Sequence, residues 1–121
     1  MRSWLAFALL ITALVIPATA AAAYLNEGQQ GLEECKDISG VTVWHFVNNQ
    51  YNGANPANAR LFVEFSTGNV GPLAPSKWNN GTIHWTFETA TGAVLEDAWT
   101  VLNGTTTQVP GRLVLSDCYK K

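Results

Sequence analysis

Val41-Thr42-Val43-Trp44-His45-Phe46-Val47 is a run of β-branched and aromatic residues that stops at Asn48-Asn49-Gln50-Tyr51-Asn52-Gly53-Ala54-Asn55-Pro56, a stretch rich in turn formers. Residues of the first kind suit a pleated, half-buried backbone, and residues of the second kind end it, so the segment reads as a strand. The same grammar repeats along the chain. Ala59 to Ser66 places Leu61, Val63 and Phe65 on one face and Arg60, Phe62 and Glu64 on the other. Gly81 to Glu88 alternates Ile83, Trp85 and Phe87 against Thr82, His84, Thr86 and Glu88. Ala93 to Leu102 fits strand or a short helix, and Trp99 and Val101 with flanking threonine favour strand. Arg112 to Tyr119 is the last strand, and Glu33 to Ile38 a weak first one.

The connections carry their own chemistry. Two prolines and two glycines in Thr67-Gly68-Asn69-Val70-Gly71-Pro72-Leu73-Ala74-Pro75 are expected to keep that segment out of any ladder. Thr89-Ala90-Thr91-Gly92 reads as a hairpin loop. Asn103-Gly104 is the strongest short hairpin signal, because both residues tolerate the positive φ of a type I′ turn. Six or seven short strands with a turn every ten residues or so predict an all-β fold: a single antiparallel β-sandwich of about seven strands, immunoglobulin-like or transthyretin-like, preceded by a signal-peptide helix.

That helix is residues 1–23 of the 121-residue chain: Met1-Arg2 as a positive start, Trp4 to Ile16 as an apolar run of 13, then Ala18-Thr19-Ala20 and Ala21-Ala22-Ala23 as A-x-A cleavage patterns. A membrane-spanning helix needs roughly 20 apolar residues, so a cleaved leader is expected over a retained anchor or a pilin-type stem. No lipoprotein cysteine follows and no apolar tail precedes Lys120-Lys121, so no membrane anchor is expected after cleavage. Residues 24–121 are then one secreted domain. It has six Lys and Arg against nine Asp and Glu, with no basic cluster outside its last two residues, a pattern unlike a nucleic-acid binder. Cys35 and Cys118 are the only cysteines. In an exported chain an even cysteine count points to a structural disulfide, here one that closes almost the whole domain.

Val43-Trp44-His45-Phe46-Val47-Asn48-Asn49-Gln50 resembles the Trp-His-Phe-Val strand, followed by Asn and Gln, of small modules in secreted and cell-surface bacterial proteins with transthyretin-type or immunoglobulin-type sandwiches. Leu115-Ser116-Asp117-Cys118 is similar to the Leu-Ser-rich last strand of those modules. The likeness covers roughly Lys36 to Cys118. It implies fold and extracellular localisation, and no activity is assigned to the family.

Several residues invite chemistry. His45 and His84 would face each other if their strands pair, and Glu64 or Glu88 could complete a metal site with them; the alternative is ordinary packing among aromatics. No cofactor is expected. Ser39, Ser66, Ser76 and Ser116 lie in no nucleophile motif, and Glu96-Asp97 would point to opposite faces of a strand, so an enzyme is not expected. Lys36 and Asp117 flank the two cysteines and would form an exposed ion pair or, with Glu64 or Glu88 as promoter, an isopeptide bond. Asn80-Gly81-Thr82 and Asn103-Gly104-Thr105 match the glycosylation sequon. The expectation is a non-catalytic extracellular structural or adhesion module whose partner is a protein or glycan at the cell surface. The alternative is a carbohydrate-binding module using exposed aromatics on loops: Trp78 first, then Tyr51, with Asn79 beside them. Trp44, Trp85 and Trp99 lie in strands and are expected mostly in the core.

Overall fold

The computed structural model describes Cys35, residues 40–90 and residues 92–121. The expected leader, Lys36 and most of the expected Glu33 to Ile38 strand lie outside the described residues. Seven strands are present among the described residues: β1 (Thr42–Asn49), β2 (Ala59–Phe65), β3 (Gly68–Leu73), β4 (Lys77–Asn79), β5 (Thr82–Thr89), β6 (Leu95–Leu102) and β7 (Arg112–Lys120), with a short 3-10 turn at Pro56–Asn58. They form two antiparallel sheets, a four-stranded one in the order β4-β5-β1-β7 and a three-stranded one in the order β3-β2-β6. The protein is a β-sandwich. β1, the first of the described strands, lies between β5 and β7, and β2 is in the other sheet.

Period-two alternation decides what faces inward. Trp44 and Phe46 of β1, Ile83 and Trp85 of β5 and Leu113 and Leu115 of β7 pack against Leu61, Val63 and Phe65 of β2 and Leu95 and Ala98 of β6. Trp44 meets Phe65 with ring centroids 4.9 Å apart, and its Nε1–H donates to Thr89 Oγ1 at 2.7 Å. Trp85 Nε1–H crosses to the other sheet and donates to the Leu73 carbonyl at 2.9 Å. Asn48 is 0 % exposed. It is satisfied there because its Oδ1 accepts from Thr100 Oγ1 of the facing sheet and its Nδ2 donates to the Pro110 carbonyl.

Cys35 and Cys118 are bonded, with Cα atoms 6.0 Å apart and a separation of 83 positions in sequence. Cys118 lies in β7, and β7 pairs with β1 from Thr42↔Lys120 to Asn49↔Arg112. Cys35 precedes β1 and has 3-10 rather than the expected strand geometry, so the bond ties the segment before β1 to β7, the strand that β1 itself pairs with.

Four expectations need correction. The Thr67 to Pro75 connection contains β3, which pairs with β2 from Phe65↔Gly68 to Leu61↔Leu73. It is an edge strand, where proline's missing N–H can face away from the ladder, and the register shifts opposite Gly71-Pro72. The Thr89 to Gly92 segment is not a hairpin, because it carries the chain from β5 in one sheet to β6 in the other. At Asn103-Gly104 the chain does turn, with Thr105 N–H donating to the Leu102 carbonyl at 3.0 Å, but only Gly104 has a positive φ. That is the type II rather than the type I′ requirement. Finally, a register shift between Glu64 and Phe65 breaks the alternation in β6, so Leu95 and Ala98 are both buried and Glu96 and Asp97 lie together on the outer side.

Candidate functional site

The first sequence candidates meet at one end of the sandwich. Strand β5 pairs with β4 through Trp78↔Ile83 and Asn79↔Thr82, and Tyr51 N–H donates to the Gly81 carbonyl at 3.1 Å. These bonds bring the Asn-rich segment after β1 against the β4–β5 turn. Between them lies a cleft of about 390 Å³ walled by Tyr51, Asn52, Trp78, Asn79 and Asn80. Its size falls within the range of small-molecule sites, roughly 300 to 1,000 Å³.

The two aromatics play different parts there. Trp78 is 48 % exposed. It belongs to the short edge strand β4 rather than to a loop. Since Ile83 points inward, its register partner Trp78 lies over the open edge of the sandwich and offers the rest of its indole to solvent. Tyr51 is only 9 % exposed, and its hydroxyl accepts the Asn55 N–H at 3.2 Å. It is a wall held by the core, not the exposed stacking face expected of it. Asn79 is exposed, and its Oδ1 accepts from Thr82 Oγ1.

His45 and His84 also come together, on the outer face of the four-stranded sheet. Their strands pair with His45 opposite Thr86 and His84 opposite Val47, so the imidazoles meet diagonally. His45 Nε2 and His84 Nδ1 are 2.9 Å apart, in nearly parallel rings with centroids 5.2 Å apart. One ring nitrogen must donate and the other accept, so the contact needs at least one neutral ring. Among the described residues no group of three or more His, Cys, Asp or Glu is placed to hold a metal ion. Glu64 lies in the other sheet, and Glu88 is paired with Lys121 at 3.1 Å.

Burial lowers the His84 pKa from its ordinary 6.5, and the neighbouring His45 and Lys77 add to the effect. A base with a lowered native value takes up its proton more readily when unfolded, so its contribution is complete above 6.5 and is lost as the pH falls below that value. The melting temperature is expected to drop between about pH 8 and about pH 5 by more in the natural protein than in His84→Gln. Parallel curves for the two proteins would show that the pair does not sense pH.

Sequence reasoning missed a third arrangement. Trp99 is not in the core: it stands half-buried on the outer face of the three-stranded sheet, directly opposite Phe62, with ring planes within 9° and centroids 5.7 Å apart. A signal for it was present, because Phe62 alternates with Arg60 and Glu64 and so belongs to the outer face. Its register partner follows it there. Glu64 and Asp97 are opposed one position further along the same face.

Comparison with protein-family models, with curated proteins and with solved structures finds no match to this chain.

Proposed function

We propose that the chain is a secreted, non-catalytic extracellular module for structure or adhesion, with residues 1–23 as its cleaved leader and a protein or glycan at the cell surface as its partner. The observation that carries this reading is the Cys35–Cys118 bond across 83 positions of sequence, a cross-link that forms and persists where the surroundings are oxidising. Such a module is of the small bacterial sandwich type that its Trp44-His45-Phe46-Val47 strand resembles.

A second reading, carbohydrate binding, is favoured by the cleft that Trp78 shares with Asn52, Asn79 and Asn80. An indole face attracts the electropositive C–H groups of a sugar ring, and side-chain amides can both donate to and accept from hydroxyls. One experiment addresses both readings. The protein, expressed with its own leader and recovered after export, is expected to begin at Tyr24 and to carry the disulfide by intact mass. On a glycan array, Trp78→Ala is then expected to lose any signal the natural protein gives. A reduced chain retaining its leader in the cytosol would sink the first reading. A signal indifferent to Trp78→Ala would sink the second as placed in this cleft.

A further inference from the structure

We propose that the recess beside Trp99, on the outer face of the three-stranded sheet, is a separate saccharide site that takes one neutral pyranose ring. It rests on the carbohydrate reading only for the class of ligand; the surface and the residues are different. The recess is about 260 Å³ and is lined by Phe62, Trp99, Val101, Thr105, Thr106 and Gln108. That is just below the usual range for small-molecule pockets, so it suits one ring rather than a chain of them or a folded partner.

The four indoles outside the leader fall into two classes. Those of Trp44 and Trp85 are buried and donate their N–H to Thr89 and to the Leu73 carbonyl. Those of Trp78 and Trp99 have N–H groups with no partner among the described residues. For Trp78, 48 % exposed, water suffices. Trp99 is half-buried and lines the recess together with Thr106. A tryptophan in such a position usually finds an acceptor, and a ring hydroxyl of a bound sugar supplies one.

The platform is held in place before any ligand arrives. Phe62 lies over Gly71 of β3, whose φ is +122° and where a Cβ would stand 2.5 Å from the Leu61 carbonyl oxygen and 3.1 Å from Phe62 Cδ1. Glycine there lets the edge strand approach while Phe62 stays against Trp99. The loop that brings the threonines is pinned at several points. Asn103 N–H donates to the Asn58 carbonyl, Leu102 N–H to the Thr107 carbonyl, Thr107 N–H to Thr105 Oγ1 and Val109 N–H to the Thr100 carbonyl. Little ordering is left to be done on binding, which raises affinity for a small ligand.

Charge selects a neutral ring. Aromatic faces also attract quaternary ammonium groups, and Glu64 and Asp97 lie nearby. Yet every side chain lining the recess is uncharged. The bordering Arg60, opposite Val101, puts a cation on the other side, with its Nη1 turned to the Ala57 and Ala59 carbonyls.

The exported, disulfide-bonded protein would be titrated with methyl glycosides of glucose, galactose, mannose and N-acetylglucosamine, with indole N–H resonances as the readout. At least one glycoside is expected to move the Trp99 resonance saturably, with a dissociation constant of about 1 mM. Trp99→Ala should weaken it at least about tenfold, and so should Thr106→Arg, which fills the recess from an exposed loop position without touching the sheet. Trp78→Ala should leave it within about twofold, so failure here and failure of the Trp78 cleft are distinguishable. The proposal is overturned if no glycoside saturates, if Thr106→Arg leaves binding unchanged, or if tetramethylammonium binds the recess more tightly than every glycoside.

Discussion

Replacing Cys35 and Cys118 together by alanine is expected to lower the unfolding free energy by about 4 to 5 kcal/mol, a large part of the roughly 5 to 15 kcal/mol available to such a domain. The bond joins positions 83 apart, and fixing the ends of so long a loop removes conformations from the unfolded chain that the native state never had. In the chain-entropy account the effect grows with the logarithm of loop length, so this bond sits near the top of the usual range. The native side changes little, because β1 and β7 already hold the chain ends together through their own ladder. In urea the midpoint should fall by roughly 2 to 4 M, and on heating by roughly 20 to 30 °C. Reduction of the natural protein should give the same shift without any change of side chain. A shift equivalent to less than about 1 kcal/mol in both tests would mean that the unfolded chain is already closed by other contacts, and the entropic argument would fail.

Trp85→Ala is expected to cost about 3 to 5 kcal/mol through lost burial and the cavity it leaves. Trp85 is 1 % exposed and sits between the sheets among Tyr51, Leu61 and Ile83 in the same core cluster. Its indole also crosses to the Leu73 carbonyl at 2.9 Å, so the variant removes that hydrogen bond between the sheets as well. Trp85→Phe separates the two contributions: the ring is largely kept and the donor lost, for about 1 to 3 kcal/mol. Trp99 provides the contrast. A tryptophan of equal size in the neighbouring sheet, but half-buried on the outer face, should lose less on truncation to alanine, since part of its surface is already in water. Urea unfolding of the three variants, followed by circular dichroism, gives the ranking. Equal losses for Trp85→Ala and Trp99→Ala would contradict the placement of the two indoles.

Much of the architecture was legible because it is written at short range. Alternation of Ile83, Trp85 and Phe87 with polar neighbours assigned both the strand and its inner face, and the structure buries Ile83 and Trp85 accordingly. The cysteine count led to the Cys35–Cys118 bond, which the structure contains. Short-range signals failed where a proline or an aromatic was read by type instead of by position. The prolines and glycines of Thr67 to Pro75 argue against a ladder, yet an edge strand has a side on which no donor is required. Membership of a strand places Trp44, Trp85 and Trp99 mostly in the core, yet the neighbours of Trp99, Ala98 and Thr100, occupy the inner positions. Glu96 and Asp97 were given opposite faces, but a bulge in β6 changes the count between them.

The candidate sites were legible only as ingredients. Trp78, Tyr51 and Asn79 could be nominated for their chemistry, and His45 and His84 for their shared position beside tryptophan. That Tyr51 is a buried wall, that Trp78 rides an edge strand, and that the imidazoles meet diagonally at 2.9 Å depend on which strands pair and in what register. By itself, the amino-acid sequence determined that this protein is built of short strands and which residues of most strands face inward, because both follow from the two-residue repeat of an extended backbone. Tertiary structure alone decided which sheet each strand joins, that β1 lies between β5 and β7, and that Phe62 and Trp99 share a surface. Those outcomes are set by pairings between residues dozens of positions apart, where the winning register is the one that buries the most apolar surface with its hydrogen bonds satisfied, and no local pattern encodes that competition.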